Sequence, residues 1–251
     1  MSGGLIALSG MQRQIETTPG TALPCTAVQP LLGGWLRENV GRQFPDEQRY
    51  SLIRAYRNFA VSNMVELSGI TIAPTFTDLS WWGCLFWKGL GAGGPPKVST
   101  PTGPTDVTVY TYTFTPTVAS DDLNVATLEV GDDVQSFQVP YCLGQKIDLT
   151  WAVNGALTCS MDLLGQRAVP AAKTAGQVPK GDEDIIGAKT TVKIDTTTIG
   201  TTAVTTVQEM HASWSQSWEQ EFVLIGNLYP LGAHRAATRG CDLEATLLFS
   251  S

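Results

Sequence analysis

Ile147-Asp148-Leu149-Thr150-Trp151-Ala152-Val153-Asn154-Gly155-Ala156-Leu157-Thr158-Cys159-Ser160-Met161-Asp162-Leu163 decides the fold. Apolar side chains fall at 147, 149, 151 and 153, and again at 157, 159, 161 and 163. A period of two means that one face of an extended chain is apolar. Asn154-Gly155 separates the two runs, and both residue types accept the positive φ that a tight hairpin turn requires. The stretch therefore predicts two antiparallel strands joined by a two-residue turn. Its other face carries Asp148, Thr158, Ser160 and Asp162, which suits a sheet with water on one side.

Moving towards the N-terminus, Val125 to Val130 and Val134 to Val139 flank Gly131-Asp132-Asp133 and predict a second hairpin. Val107 to Thr115 alternates Val, Tyr, Thr and Phe and predicts a strand. Residues 91–107 hold Gly93-Gly94-Pro95-Pro96, Pro101 and Pro104, the composition of a linker or long turn. Thr77 to Leu90 reads as a helix: Thr77 is a good N-cap and Asp78 suits the positive helix end. Nearly all its sides are apolar, so burial is expected. Trp81, Trp82 and Trp87 point around the helix at 3.6 residues per turn, which favours core packing over a sugar-binding face.

Residues 59–72 predict a long strand, and residues 5–16 another that runs into the turn Thr17-Thr18-Pro19-Gly20-Thr21. Residues 31–57 carry Arg37, Arg42, Arg49, Arg54 and Arg57 against three acids, and read as a long excursion rather than core. Beyond the deciding hairpin, 168–184 reads as a loop, and strands are expected around 188–195, 203–218 and 241–250. The fold class is mainly β: a sandwich or barrel-forming subunit with one flanking α-helix at about 77–90. A single domain over 1–251 is expected, with long loop excursions at about 31–57, 91–107 and 168–184.

Hydrophobic residues make up 43% of the chain, enough for a packed core, while charged residues make up only 16%. So little charge predicts a surface partly covered by neighbours. Net charge is -7, the wrong sign for a free-standing nucleic-acid binder. Residues 121–251 own the acidity, with Asp and Glu twice as numerous as Lys and Arg. Cys25, Cys84, Cys142, Cys159 and Cys241 show no C-x-x-C spacing, which predicts free thiols rather than disulfides or a zinc site. The opening Met1–Ala7 does not read as a secretory leader, and no apolar run reaches the roughly 20 residues of a membrane helix.

His211 and His234 have no partners at metal-ligand spacing. No nucleophile elbow, phosphate loop or zinc-protease motif is present. Asp121-Asp122, Asp132-Asp133 and Asp182-Glu183-Asp184 lack the alternating oxygens of a calcium loop and read as solvated turns. The expectation is a non-enzymatic protein with no cofactor.

Five stretches follow one another in order: Gln14-Ile15-Glu16-Thr17-Thr18-Pro19-Gly20-Thr21, Val65-Glu66-Leu67-Ser68-Gly69 running into the Asp78-Leu79 helix, Tyr110-Thr111-Tyr112-Thr113-Phe114-Thr115-Pro116, Leu128-Glu129-Val130-Gly131-Asp132 and Asp162-Leu163-Leu164-Gly165-Gln166. In this order they resemble the major tail tube proteins of long-tailed bacteriophages. The resemblance implies a structural virion protein of the tail, assembled in the host cytoplasm. Its copies would form stacked hexameric rings whose inner strands join into a barrel. It would contact further copies and other tail proteins, and DNA would pass through the lumen without specific binding. An acidic lumen keeps DNA from adhering. On this reading Arg37, Arg42, Arg49, Arg54 and Arg57 are inter-subunit contacts, and Glu66, Asp148 and Asp162 face the lumen. The alternative is a β-sandwich carbohydrate-binding or virion decoration module, whose mark would be a solvent-facing row of tryptophans.

Overall fold

The computed structural model describes residues 10–44, 58–87, 98–101, 108–111, 124–132, 134–179, 184–193, 202–224 and 226–248. They form β1 (Gly10–Ile15), β2 (Ala27–Gln29), β3 (Gly33–Gln43), β4 (Phe59–Ile72), helix α1 (Phe76–Phe86), β5 (Val98–Pro101), β6 (Thr108–Thr111), β7 (Ala126–Gly131) and β8 (Ser136–Ala152). Then follow β9 (Thr158–Gly165), β10 (Val169–Pro170), β11 (Val192–Lys193), β12 (Ala203–Val204), β13 (Val207–Ser215), β14 (Trp218–Glu221), β15 (Gly232–Arg235) and β16 (Gly240–Leu247). The protein is mainly β, its strands antiparallel, with one α-helix among the described residues.

Strand β8 organises the structure. Its first part pairs with β7 and β10, and its second part with β9 and β13. The change of partners occurs beside Tyr141, whose φ of 55° is the left-handed conformation that a bulky residue rarely adopts. The buried Glu16 holds this corner: its carboxylate accepts hydrogen bonds from the Tyr141 N–H at 2.8 Å, Thr127 Oγ1 at 2.9 Å and the Gly20 N–H at 2.7 Å. One ladder thus runs β2-β1-β7-β8, and the other β3-β4-β9-β8-β13-β16. A strand that bends from one sheet to the next is how such corners are built.

The core lies where the apolar faces of both ladders meet. Met11, Leu128 and Val139 from one join Leu67, Ile147, Cys159, Met161 and Leu163 from the other, with Trp82 and Phe86 of α1. Burying each large side chain contributes about 1.5–3 kcal/mol. Helix α1 starts in a full capping box, Thr75 with Asp78, two residues before the Thr77 cap expected from sequence. Arg13 on β1 binds it to the sheet. Buried, it donates to Gln29 Oε1 and to Asp78 Oδ1, and its guanidinium lies 4.7 Å from the Trp81 ring centroid. Burial pulls the Arg13 pKa below the usual arginine range, and the Asp78 carboxylate opposes that shift.

Five sequence expectations are corrected. The excursion at 31–57 is not a loop throughout: Gly33–Gln43 is an eleven-residue strand paired along β4. Both of its faces are largely exposed, so it carries no apolar period, and the β4 backbone ladder holds it extended. The helix ends at Phe86, where the Trp87 N–H returns to the Gly83 carbonyl at 2.8 Å, and residues 88–90 lie outside the described residues. The linker at 91–107 contributes β5, which pairs with β6. The turn after β8 is wider than Asn154-Gly155, because Leu157 N–H bonds Ile185 O at 2.7 Å and Ala156 bridges to Ile186. Among the described residues around 188–195 the strand is Val192–Lys193, preceded by a 3-10 turn at Gly187–Lys189, and 194–195 lie outside the described residues.

Candidate functional site

Alternation along the six-stranded ladder sorts its side chains into two faces. Val65, Leu67, Ile147, Leu149, Cys159, Met161, Leu163 and Ala212 enter the core. The residues between them point the other way, and cross-strand register keeps partners on a common face. Asp162 stands opposite Lys146, Asp148 opposite both Ser160 and Ser213, and Glu66 opposite Arg37. Ser213 in turn faces Asp242, and His211 lies between Thr150 and Glu244. The outward face thus carries Glu66, Asp148, Asp162, Glu209, Asp242 and Glu244, with Arg37 and Lys146 as cations.

The structure therefore brings the three sequence-predicted carboxylates, Glu66, Asp148 and Asp162, to one face. Each also has a local partner. Asp162 Oδ1 accepts from the Gly69 N–H at 2.9 Å, fixing the bulge of β4 at a glycine with φ 62°. Asn39 Nδ2 donates to Glu66 at 3.5 Å. Asp148 lies 2.8 Å from Lys146 Nζ and 3.7 Å from His211 Nε2. That hydrogen bond and the nearby negative charges raise the Lys146 pKa.

Of the arginines, Arg37 and Arg42 lie on β3. Arg42 Nη1 donates to Asn58 Oδ1 at 2.7 Å. Arg49, Arg54 and Arg57 lie outside the described residues. Among the described residues, β3 pairs only with β4 and β16 only with β13, so each has one backbone edge with no described strand partner, at opposite margins of the acidic face. Arg37 stands on this face at one margin, and Asp242 and Glu244 at the other.

Three features had no sequence signal. Glu129 is buried and accepts from the Thr174 N–H at 2.7 Å and from Thr174 Oγ1 at 3.0 Å, which straps part of the 168–184 loop onto the sheet. His234 sits across the β14–β15 pair from Glu219, 3.0 Å from Glu221 Oε1. Trp218 is buried under the same hairpin, with the Arg235 guanidinium 4.3 Å from its ring centroid and its Nε1 donating to Gly144 O at 2.9 Å. Such pairings form across strands far apart in sequence.

The tryptophans do not line up on a solvent face. Trp82 is fully buried, Trp87 packs edge-on against Trp214 at 5.1 Å, and Trp151 lies against the core; Trp35 is the largely exposed one. No described helix is long and apolar enough to cross a membrane. No family model matches the sequence, and no curated protein matches it.

Proposed function

We propose that this chain is a non-enzymatic wall subunit of a tube, the tail tube of a long-tailed phage, in which copies join edge to edge and turn their acidic faces inward. The observation that carries the reading is the single face on which Glu66, Asp148, Asp162, Glu209, Asp242 and Glu244 converge, on a sheet whose two margins have no strand partner among the described residues. An unpaired strand edge is a template for another strand. If β16 of one copy meets β3 of the next, Asp242 and Glu244 approach Arg37 and the ladder continues with its polar face unbroken. Opposite charge at the seam favours this register.

A ring closed in this way has a negatively charged bore. DNA crossing it meets like charge on every side and finds no place to bind, which suits transit. Six copies per ring, stacked rings and association with other tail proteins belong to the same proposal, supported by the ordered sequence resemblance. Electron microscopy of the purified chain over a range of salt and concentration tests it. Rings or tubes with a central hole are expected; monomers under every condition would end the proposal.

A further inference from the structure

The two margin strands carry leucines that their own copy leaves uncovered. Strand parity places Cys241, Leu243, Ala245 and Leu247 of β16 on the core side of the sheet. Leu243 stands opposite the buried Ala212, and Cys241 opposite Trp214, which packs against the core. The core does not reach β16 itself: Leu243 is 66% exposed and Leu247 38% exposed. At the other margin, Leu36 lies on the core side opposite the buried Leu67. Leu32 extends that ladder, its N–H donating to Thr71 O at 2.7 Å, and it is 67% exposed.

The order β3-β4-β9-β8-β13-β16 keeps the two margins apart by five strand spacings, about 24 Å. Neither set of leucines can cover the other within one copy. The bulges beside the margins fall on the inner strands. Between Gly33 and Trp35 it is β4 that carries the extra residue, and between Thr246 and Leu247 it is β13. Strands β3 and β16 therefore alternate without interruption, and the faces they offer a partner are regular.

Every pairing along this ladder is antiparallel, so β3 and β16 run in opposite directions. Copies related by rotation about a ring axis keep those directions, and their seam is antiparallel. We infer that the seam takes the register in which Leu243 of one copy stands opposite Leu36 of the next. The same setting brings Leu247 opposite Leu32, Ala245 opposite Gly34 and Asp242 opposite Arg37, with Glu244 one diagonal step from Arg37. Arg37 and Asp242 are both exposed and in no ion pair among the described residues. Moving β16 to set Glu244 opposite Arg37 puts Leu243 against Glu38. The opposite shift leaves Gly240 at Arg37 and Leu243 at Gly34, and a shift of four leaves Thr246 at Arg37. The seam thus has two layers, charge pairing on the acidic side and leucine packing on the core side. This inference rests on the edge-to-edge reading proposed above and adds its register and its apolar layer.

The test uses the full chain with Cys241→Ser, which removes the exposed thiol. Separate preparations add Leu36→Cys, Leu243→Cys or Ala245→Cys. Directly opposed residues of an antiparallel pair have Cα atoms about 4.5–5.5 Å apart, within reach of a disulfide, whereas diagonal neighbours at about 7–8 Å are beyond it. Under mild oxidation Leu36→Cys mixed with Leu243→Cys should give a linked dimer, and mixed with Ala245→Cys it should not. Leu32→Cys mixed with Leu247→Cys repeats the test where the native side chains are exposed and no core packing is disturbed. Preferential linkage to Ala245→Cys would overturn the register. So would no linkage in either expected pair, including the case where another segment of the chain covers an edge. Leu243→Asp gives a second reading: the melting temperature of the single copy should stay unchanged while assembly is lost, and assembly at the native concentration would overturn the apolar layer. Linkage without any ring or tube would keep the register and sink the tube proposal; rings or tubes without linkage at these positions would do the reverse.

Discussion

Arg13 shows how one buried charge is made tolerable. It is almost fully enclosed, yet a carboxylate, an amide oxygen and the Trp81 and Trp82 rings surround it. Removing one partner of such a pair strands the other in a medium that cannot solvate it. Asp78→Ala is therefore expected to cost about 3–5 kcal/mol, read by chemical denaturation. Thiols offer a second test. Burial pushes Cys84 and Cys159 up to about 12 and raises Cys25 and Cys142 as well. The unfolded chain then loses thiol protons at lower pH than the folded one, so stability falls as pH rises. It should be fully present below about pH 9, the ordinary thiol value, and decline towards pH 12. Melting temperature across that window checks this, and at pH 8 a thiol reagent should modify Cys241 alone in the native protein. Composition gave no hint that Arg13, Glu16 or Glu129 would be buried, because their partners lie on other strands.

Strand β8 and helix α1 meet at a point where only glycine fits. A Cβ at Gly144 would stand 2.6 Å from the Phe86 ring, so Gly144→Ala is expected to destabilise by about 1–3 kcal/mol through overpacking. A thermal melt measures it. At this scale the sequence was most legible where one face is buried. Alternation marked the second part of β8 and β9, β-forming composition marked β4, the Gly131-Asp132-Asp133 turn marked β7, and the apolar run marked α1. Strand β3 was read as a loop because it has no fully buried residue and only Leu36 packs against the core, leaving Gly33-Gly34, Arg37, Asn39 and Arg42 with no pattern to follow. The wide turn at 153–157 had the same cause: the backbone found a partner at 184–186 that no local rule contains.

Among its described residues the molecule has an acidic face and two sheet margins with no strand partner. Placing Glu66, Asp148 and Asp162 together required only strand parity, and so was accessible from sequence; adding Glu209, Asp242 and Glu244 required the β13–β16 register. If the seam joins β3 to β16, Arg37→Glu should weaken assembly by about 1 kcal/mol per contact, roughly fivefold. Adding Glu244→Arg to the same chain should restore it, as sedimentation at low salt would record, whereas rescue by neither charge would place the seam elsewhere.

Strand β8 spans seventeen residues and belongs to both ladders. Tension applied to the acidic layer is consequently borne along a covalent backbone into the layer behind it. A barrier built from such units is fastened from within each brick, and peeling its lining away would require tearing the strand that also anchors the backing.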